Sequence, residues 1–115
     1  MSNPPSKAAL RHAALGRRDA LSSQVRADAA RVLAGYVDRL PIPAGSMVSG
    51  FWPIRSEIDP RPLMEGLAVR GCRLCLPVVV DRIRIVFRTW TPDADLIETG
   101  FGTRGPGPEA PVVDP

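Results

Sequence analysis

The segment from Met47 to Val79 constrains the fold more than any other part of the chain. It begins with an apolar run, Met47 to Trp52, that is typical of a buried strand, and continues through a proline-marked loop. A helix is predicted from Pro60 to Arg70, with Gly71 as its stop signal, and Arg73 to Val79 forms a second apolar run. A strand, a helix and a strand in this order predict a βαβ unit.

A third strand is predicted directly after this unit. Asp81-Arg82 makes a short connection, and the strand from Ile83 to Trp90 returns antiparallel to the second strand. Its residues alternate, which predicts one dry face and one wetter face. The dry face is expected to hold Ile83, Ile85 and Phe87, and the wetter face Arg84, Val86 and Arg88.

Two helices are predicted ahead of the first strand. Ser6 can cap a helix that ends near Leu21, and Ser22 can cap a second helix from Ser23 to Arg39. The second helix has the most regular apolar spacing in the chain. The members of its stripe are Val25, Ala29, Val32, Leu33, Tyr36, Val37 and Leu40. These elements together predict an α/β fold with two N-terminal helices, followed by an irregular Pro/Gly-rich tail over residues 91–115.

Length and charge exclude several classes of protein. A chain of 115 residues is expected to form a single domain, and a net charge of +3 suits an anionic ligand without the aromatic-interleaved basic patch of a nucleic-acid binder. No apolar run is long enough to span a membrane, and the N-terminus lacks the apolar core of a secretory signal. Cys72 and Cys75 are predicted to point to opposite faces of one strand, which argues against a shared metal or a disulfide. We therefore expect two buried thiols and a cytoplasmic protein without nucleic-acid or membrane partners.

Three kinds of chemical site are excluded by the sequence. Gly100 to Gly105 matches G-x-G-x-x-G, but the prolines that follow forbid the helix that a dinucleotide fingerprint needs. His12 is the only histidine, so a histidine-based metal cluster or a Ser-His-Asp triad is excluded. Lys7 is the only lysine, so no Walker lysine follows the glycines.

The first helix and the Trp52 loop carry the remaining functional candidates. At 100° per residue Lys7, Arg11 and Arg18 fall within an arc of about 40°, which suits either a phosphate site or a solvated basic face. Glu57 follows the first strand near Trp52, where α/β folds place ligand contacts, although a solvated loop glutamate has the same local pattern. Asp59 is different, since an N-cap carboxylate before a proline has a structural role.

The ordered series of these residues resembles the 5-formyltetrahydrofolate cyclo-ligase family (methenyltetrahydrofolate synthetases). The resemblance covers essentially the whole chain and rests on short motifs in the family's order. They are Lys7-x-x-Leu10-Arg11, Arg18-x-x-Leu21, Glu57-Ile58-Asp59, Pro62-Leu63, Gly71, Leu76-Pro77-Val78-Val79 and Phe101-Gly102.

The resemblance implies a three-layer Rossmann-like sheet, a monomer, and an ATP- and Mg²⁺-dependent reaction. In that reaction the γ-phosphate is transferred to the formyl oxygen of 5-formyltetrahydrofolate, N10 attacks, and loss of phosphate leaves 5,10-methenyltetrahydrofolate. Lys7 and Arg11 match positions that contact ATP, and Trp52 and Glu57 match positions that contact the folate. No residue is assigned to the metal or to a covalent step.

The chain departs from the family in two places. Gly105 stands where the family has a glutamate before the proline, and the family's later Gly-rich loop ending in Tyr-Asp is not found before Pro115. We therefore expect an incomplete sheet, a truncated cyclo-ligase domain and little turnover by this chain. The alternatives are a non-catalytic folate- or nucleotide-binding remnant, half of a split enzyme, or a small basic RNA-associated domain.

Overall fold

The computed structural model describes residues 3–115, which form a mixed α/β fold. Three α-helices are found in this part of the chain: α1 (Lys7–Asp19), α2 (Ser23–Ala34) and α3 (Arg61–Val69). The strands are β1 (Met47–Ser49), β2 (Arg73–Val79), β3 (Ile85–Trp90), β4 (Ile97–Gly100), β5 (Thr103–Gly105) and β6 (Val112–Val113). A short 3₁₀ helix at Val37–Arg39 lies between α2 and β1.

The main sheet confirms the predicted βαβ unit and the antiparallel strand after it. Its strand order is β1-β2-β3-β6. β1 runs parallel to β2 with Val48 opposite Leu74, and β2 runs antiparallel to β3 with Leu74 opposite Trp90. α3 crosses between the two parallel strands and packs on β2. The structure thus has a mixed four-stranded sheet with α3 packed on it. The three-layer Rossmann-like arrangement implied by the resemblance stays a prediction.

The core lies between α3 and the sheet. Met64 and Leu67 of α3 meet apolar side chains of β2 and the end of β3, and α2 packs on α3 from outside. The buried members of this cluster are Met64, Leu67, Cys72, Leu74, Leu76 and Trp90. Cys75 is also buried, and both cysteines are free, which confirms the prediction of two buried thiols.

The two N-terminal helices begin where predicted. The Oγ atoms of Ser6 and Ser22 accept hydrogen bonds from the third backbone N–H beyond each cap, at 3.0 and 3.1 Å. The prediction that the second helix continues to Arg39 is wrong. α2 ends at Ala34 because Gly35, a poor helix former, follows, and the chain then tightens into the 3₁₀ turn.

The apolar stripe predicted for the second helix is buried only in part. Leu33, Val37 and Leu40 are half-buried, whereas Val25 and Val32 are exposed. α2 instead turns Ala30 inward, and that side chain is 3% exposed. α1 has no buried residue among those described. The radius of gyration of 16.6 Å exceeds the ~13 Å of a compact chain of this length, which agrees with a helix that projects from the body.

Two predicted boundaries in the βαβ region are wrong. β1 ends at Ser49 and not at Trp52. The last hydrogen bond between this segment and β2 is donated by the Gly50 N–H to the Cys75 carbonyl, and the chain beyond it turns away toward Pro53. α3 begins at Arg61 with Pro60 as its N-cap, one residue later than expected. The Asp59 carboxylate nevertheless accepts the Arg61 N–H at 3.0 Å, so it satisfies a free donor at the helix start.

The third strand begins later than predicted, and its dry face is incomplete. The Asp81 carboxylate accepts the N–H groups of Ile83 and Arg84 at 2.9 and 3.0 Å, which keeps these residues in a turn. β3 therefore starts at Ile85. Ile83 is 90% exposed and Ile85 is 55% exposed, so neither lies on a dry face as predicted.

The Pro/Gly-rich tail is more ordered than its composition indicated. β4 and β5 form a hairpin that packs on β2, and β6 adds to the main sheet beside β3. Gly100, Phe101 and Gly102 all have positive φ angles, of 111°, 52° and 74°. The glycine motif of the sequence is therefore a hairpin turn, in agreement with its rejection as a dinucleotide site.

Candidate functional site

A cleft of about 470 Å³ lies between α2 and the loop that joins β1 to α3. Trp52 and Glu57, the two residues that the family resemblance implies as folate contacts, both line it. The wall from α2 includes Ser23, Arg26, Ala27, Ala30 and Arg31. The wall from the loop and α3 includes Trp52, Pro53, Arg55, Glu57, Asp59, Arg61 and Pro62.

The loop wall is shaped by a tight turn from Ile54 to Glu57. The Glu57 N–H donates to the Ile54 carbonyl at 3.1 Å, and the Ile54 N–H donates to Glu57 Oε1 at 2.7 Å. Arg55, at the top of this turn, has a φ of 55°. Glu57 thus has a local structural role that the sequence did not reveal. Its second oxygen, Oε2, makes no hydrogen bond within residues 3–115 and remains able to accept one from a ligand.

Arg61 connects the aromatic and acidic parts of this wall. Its guanidinium carbon lies 4.7 Å from the centre of the Trp52 ring, within the range of a cation–π contact. Arg61 Nε and Nη2 also donate to the two oxygens of Asp59, each at 2.7 Å. These hydrogen bonds lower the pKa of the Asp59 carboxyl and raise the pKa of Arg61. One face of the Trp52 indole therefore lies against Arg61, whose charge is balanced by Asp59.

The cleft carries an excess of positive charge. Four arginines and two carboxylates line it. Arg61 is neutralised by Asp59, and Arg31 is paired with Asp28 on the exposed side of α2. Arg26 differs, because its Nε is buried and has no hydrogen-bond acceptor among the residues described. Arg55 is exposed and forms no salt bridge in this part of the chain.

Lys7 and Arg11, the predicted ATP contacts, lie outside the lining of the cleft. Both are exposed on α1. The C-terminal end of α1 is attached to the loop wall through Ser56, which accepts from Arg18 Nε at 2.8 Å and donates to Asp19. At 1.5 Å per residue, Arg11 and Lys7 lie about 10 and 17 Å further along the helix axis from Arg18. The structure therefore brings Trp52 and Glu57 together and leaves Lys7 and Arg11 on a separate surface.

Residues 3–115 supply no group of three or more His, Cys, Asp and Glu side chains close enough to hold a metal ion. Both oxygens of Asp59 accept from Arg61, and Glu57 Oε1 accepts from the Ile54 N–H, which leaves only Glu57 Oε2 without a hydrogen bond among the cleft carboxylates of the described residues. These residues therefore do not fit a site in which the protein alone holds Mg²⁺. In the same part of the chain, no helix has the length and apolar character to cross a membrane.

Comparison with known proteins adds nothing to this description. No family model, curated protein or solved structure matches the chain.

Sequence reasoning missed the arginines of the cleft. Arg26, Ala30 and Leu33 are spaced at i, i+4 and i+7, so Arg26 shares the inward face of α2. An arginine on the inward face of a helix could have indicated a binding site, since charged side chains are rarely buried without a partner. Arg55 offered no comparable signal, because its position depends on the turn that Glu57 closes.

Proposed function

We propose that the chain handles a reduced folate in the manner of the 5-formyltetrahydrofolate cyclo-ligases. The cleft binds 5-formyltetrahydrofolate, and the associated reaction is its ATP-dependent cyclisation to 5,10-methenyltetrahydrofolate. The observation that carries the proposal is that Trp52 and Glu57, which the family resemblance implies as folate contacts, line one cleft. Its volume of about 470 Å³ falls within the range of small-molecule sites.

The chemistry of the two residues suits a pterin. The flat ring stacks against the indole of Trp52, whose orientation is held by Arg61 at 4.7 Å. Glu57 Oε1 is engaged by the backbone, so the carboxylate is already oriented when the ligand arrives. Its Oε2 then accepts hydrogen bonds from pterin N–H groups, and a charged acceptor makes such bonds strong.

In this reaction ATP binds as its magnesium complex, since Mg²⁺ commonly binds through substrate phosphates. Lys7 and Arg11 supply positive charge for those phosphates from α1. In the described arrangement they stand apart from the cleft, so phosphate transfer requires α1 to approach the folate. The reaction then depends on positioning and charge neutralisation, without a protein nucleophile.

Calorimetric titration with 5-formyltetrahydrofolate tests the proposal directly. We expect binding by the wild type, and a roughly tenfold loss of affinity in Trp52→Leu, which removes the flat ring. Glu57→Gln keeps an oxygen for the Ile54 N–H but removes the charge, so it should weaken binding without destabilising the loop. Glu98→Gln, on the exposed strand β4, is the matched control. Absence of folate binding, or equal affinity in all three variants and the wild type, would contradict the proposal.

The placement of Lys7 and Arg11 outside the cleft favours a second candidate, a folate-binding protein or half-enzyme without turnover. Formation of the methenyl product in the presence of Mg²⁺ and ATP separates the two functions. Folate binding with no product supports the non-catalytic candidate, and product formation that is lost in Lys7→Met supports the cyclo-ligase.

A further inference from the structure

We infer that the Arg26 end of the cleft is a binding site for an anionic oxygen group, a phosphate or a carboxylate, that neither Trp52 nor Glu57 would hold. The inference rests on an arginine without an acidic partner, on the charges around it, and on the cleft that its side chain lines. It adds a charged subsite to the cleft that the proposed function assigns to a planar ligand.

The first observation is the Arg26 side chain itself. Its Nε is inaccessible to solvent and has no hydrogen-bond partner in residues 3–115. The side chain as a whole is half-buried and lines the cleft, and it has no acidic partner among the described residues. Guanidinium groups bind phosphate and carboxylate oxygens through charge-assisted hydrogen bonds, so an anion in the cleft would supply the partner that the protein does not.

The second observation is the balance of charge along the cleft. Of the four lining arginines, Arg61 and Arg31 are paired with aspartates, whereas Arg26 and Arg55 have no acidic partner in the described part of the chain. Glu57 is the one lining carboxylate that is not neutralised by an arginine there, and its Oε1 is bound to the Ile54 N–H. Arg26 and Arg55 therefore leave a surplus of positive charge opposite an open volume.

The third observation is that the two arginines come from opposite walls. Arg26 lies on α2, and Arg55 lies at the top of the Ile54–Glu57 turn, in the left-handed region with a φ of 55°. A non-glycine residue in this region carries backbone strain, which is often found where a side chain is held for a ligand. An anion between the walls can therefore receive guanidinium donors from both sides.

Arg26→Met tests the site, because it keeps an unbranched side chain of similar reach and removes the donors. Arg17→Met is the control, since Arg17 is exposed on α1 and its loss changes the net charge equally. The measurement is the melting temperature with increasing inorganic phosphate, at an ionic strength held constant with sodium chloride. We expect phosphate to stabilise the wild type and Arg17→Met, and to have little effect on Arg26→Met.

A merely structural role for Arg26 predicts another pattern. In that case Arg26→Met melts earlier than the wild type without phosphate, and phosphate shifts both proteins equally. This result would overturn the inference, as would the absence of any phosphate-specific shift in the wild type. Arg55→Met provides a second variant on an exposed residue, and it should also reduce the phosphate effect.

Titration of the same variants with ATP and with 5-formyltetrahydrofolate distinguishes the two sources of the anion. A ten- to hundredfold loss of affinity for ATP alone in Arg26→Met assigns the site to a phosphate, and the same loss for the folate alone assigns it to the folate carboxylates. If the wild type responds to phosphate but does not bind the folate, the proposed function fails and the anion site stands. If the wild type binds the folate, but Arg26→Met binds folate, ATP and phosphate as tightly as the wild type, the anion site fails and the proposed function stands.

Discussion

Gly50 lies where β1 leaves the sheet, and its substitution by alanine tests the packing that supports the cleft. A methyl group at this position would overlap with Sδ and Cε of Met64 and approach its Cγ to 3.1 Å. Met64 is 3% exposed, so its side chain has little free space into which it can move. Overpacking of this kind costs about 1–3 kcal/mol. The reduced freedom of the unfolded chain offsets about 0.4–1 kcal/mol of this.

The net expectation for Gly50→Ala is a loss of about 1–2 kcal/mol in the free energy of unfolding. For a domain of this size that is a decrease of roughly 4–8 °C in melting temperature, measurable by circular dichroism. Gly16→Ala is the matched control: Gly16 lies within α1 and a methyl group there would meet nothing within 4 Å. That control should leave stability unchanged or raise it by up to about 1 kcal/mol, because alanine favours the helix.

A double-mutant cycle then identifies the cause. Met64→Ala alone should destabilise by about 2–5 kcal/mol, since it leaves a cavity in the core. In the double variant the alanine at position 50 no longer meets the methionine, so the combined loss should be at least ~1 kcal/mol smaller than the sum of the two single losses. Additive losses, or a Gly50→Ala variant as stable as the wild type, would refute the reasoning.

Two further predictions concern the residues that hold the cleft in place. Because the hydrogen bonds from Arg61 lower the pKa of Asp59 below 3.8, the carboxylate's stabilising effect should be complete above about pH 4 and lost as the pH falls through the lowered value. Asp59→Asn should lower the free energy of unfolding by no more than about 1 kcal/mol, since the pair is half-exposed. This difference from the wild type should be constant near neutral pH and should vanish in acid denaturation profiles. A difference that grows in acid would contradict the prediction. Ser56→Ala removes the hydrogen bonds that join the loop to Arg18 and Asp19. Amide hydrogen exchange should therefore become faster in α1 and stay unchanged in α3. Unchanged exchange in α1 would show that other contacts hold this helix.

Much of the fold could be predicted from local pattern because the deciding interactions are local. The serine caps of α1 and α2 and the stop at Gly71 each depend on residues within one turn of the chain. The order of strand, helix and strand likewise determined that β1 and β2 would be parallel, since the connection between them is a helix.

The wrong predictions share a different cause, which is competition from contacts that local pattern does not contain. Ile83 alternates with Arg84 as a strand residue would, but the Asp81 carboxylate holds it in a turn. Val112 and Val113 are too short a run to predict a strand, and they form one because the free edge of β3 is available for pairing. The stripe of α2 pointed to Val25 and Val32, whereas the surface that α3 presents selects Ala30.

The sequence predicted the aromatic and acidic residues of the candidate site and missed its arginines. Glu57 connects these two sets of residues. Local pattern favoured a solvated loop glutamate over a ligand contact. The structure shows that one carboxylate oxygen closes the turn that carries Arg55, while the other remains available within the described residues. A change at Glu57 should thus affect two things at once: the hydrogen bonds offered to a planar ligand, and the position of a cation that an anionic group would meet. Glu57→Gln, which keeps the turn, separates these effects, because it should weaken recognition of pterin N–H groups while the phosphate-dependent stabilisation through Arg26 and Arg55 persists.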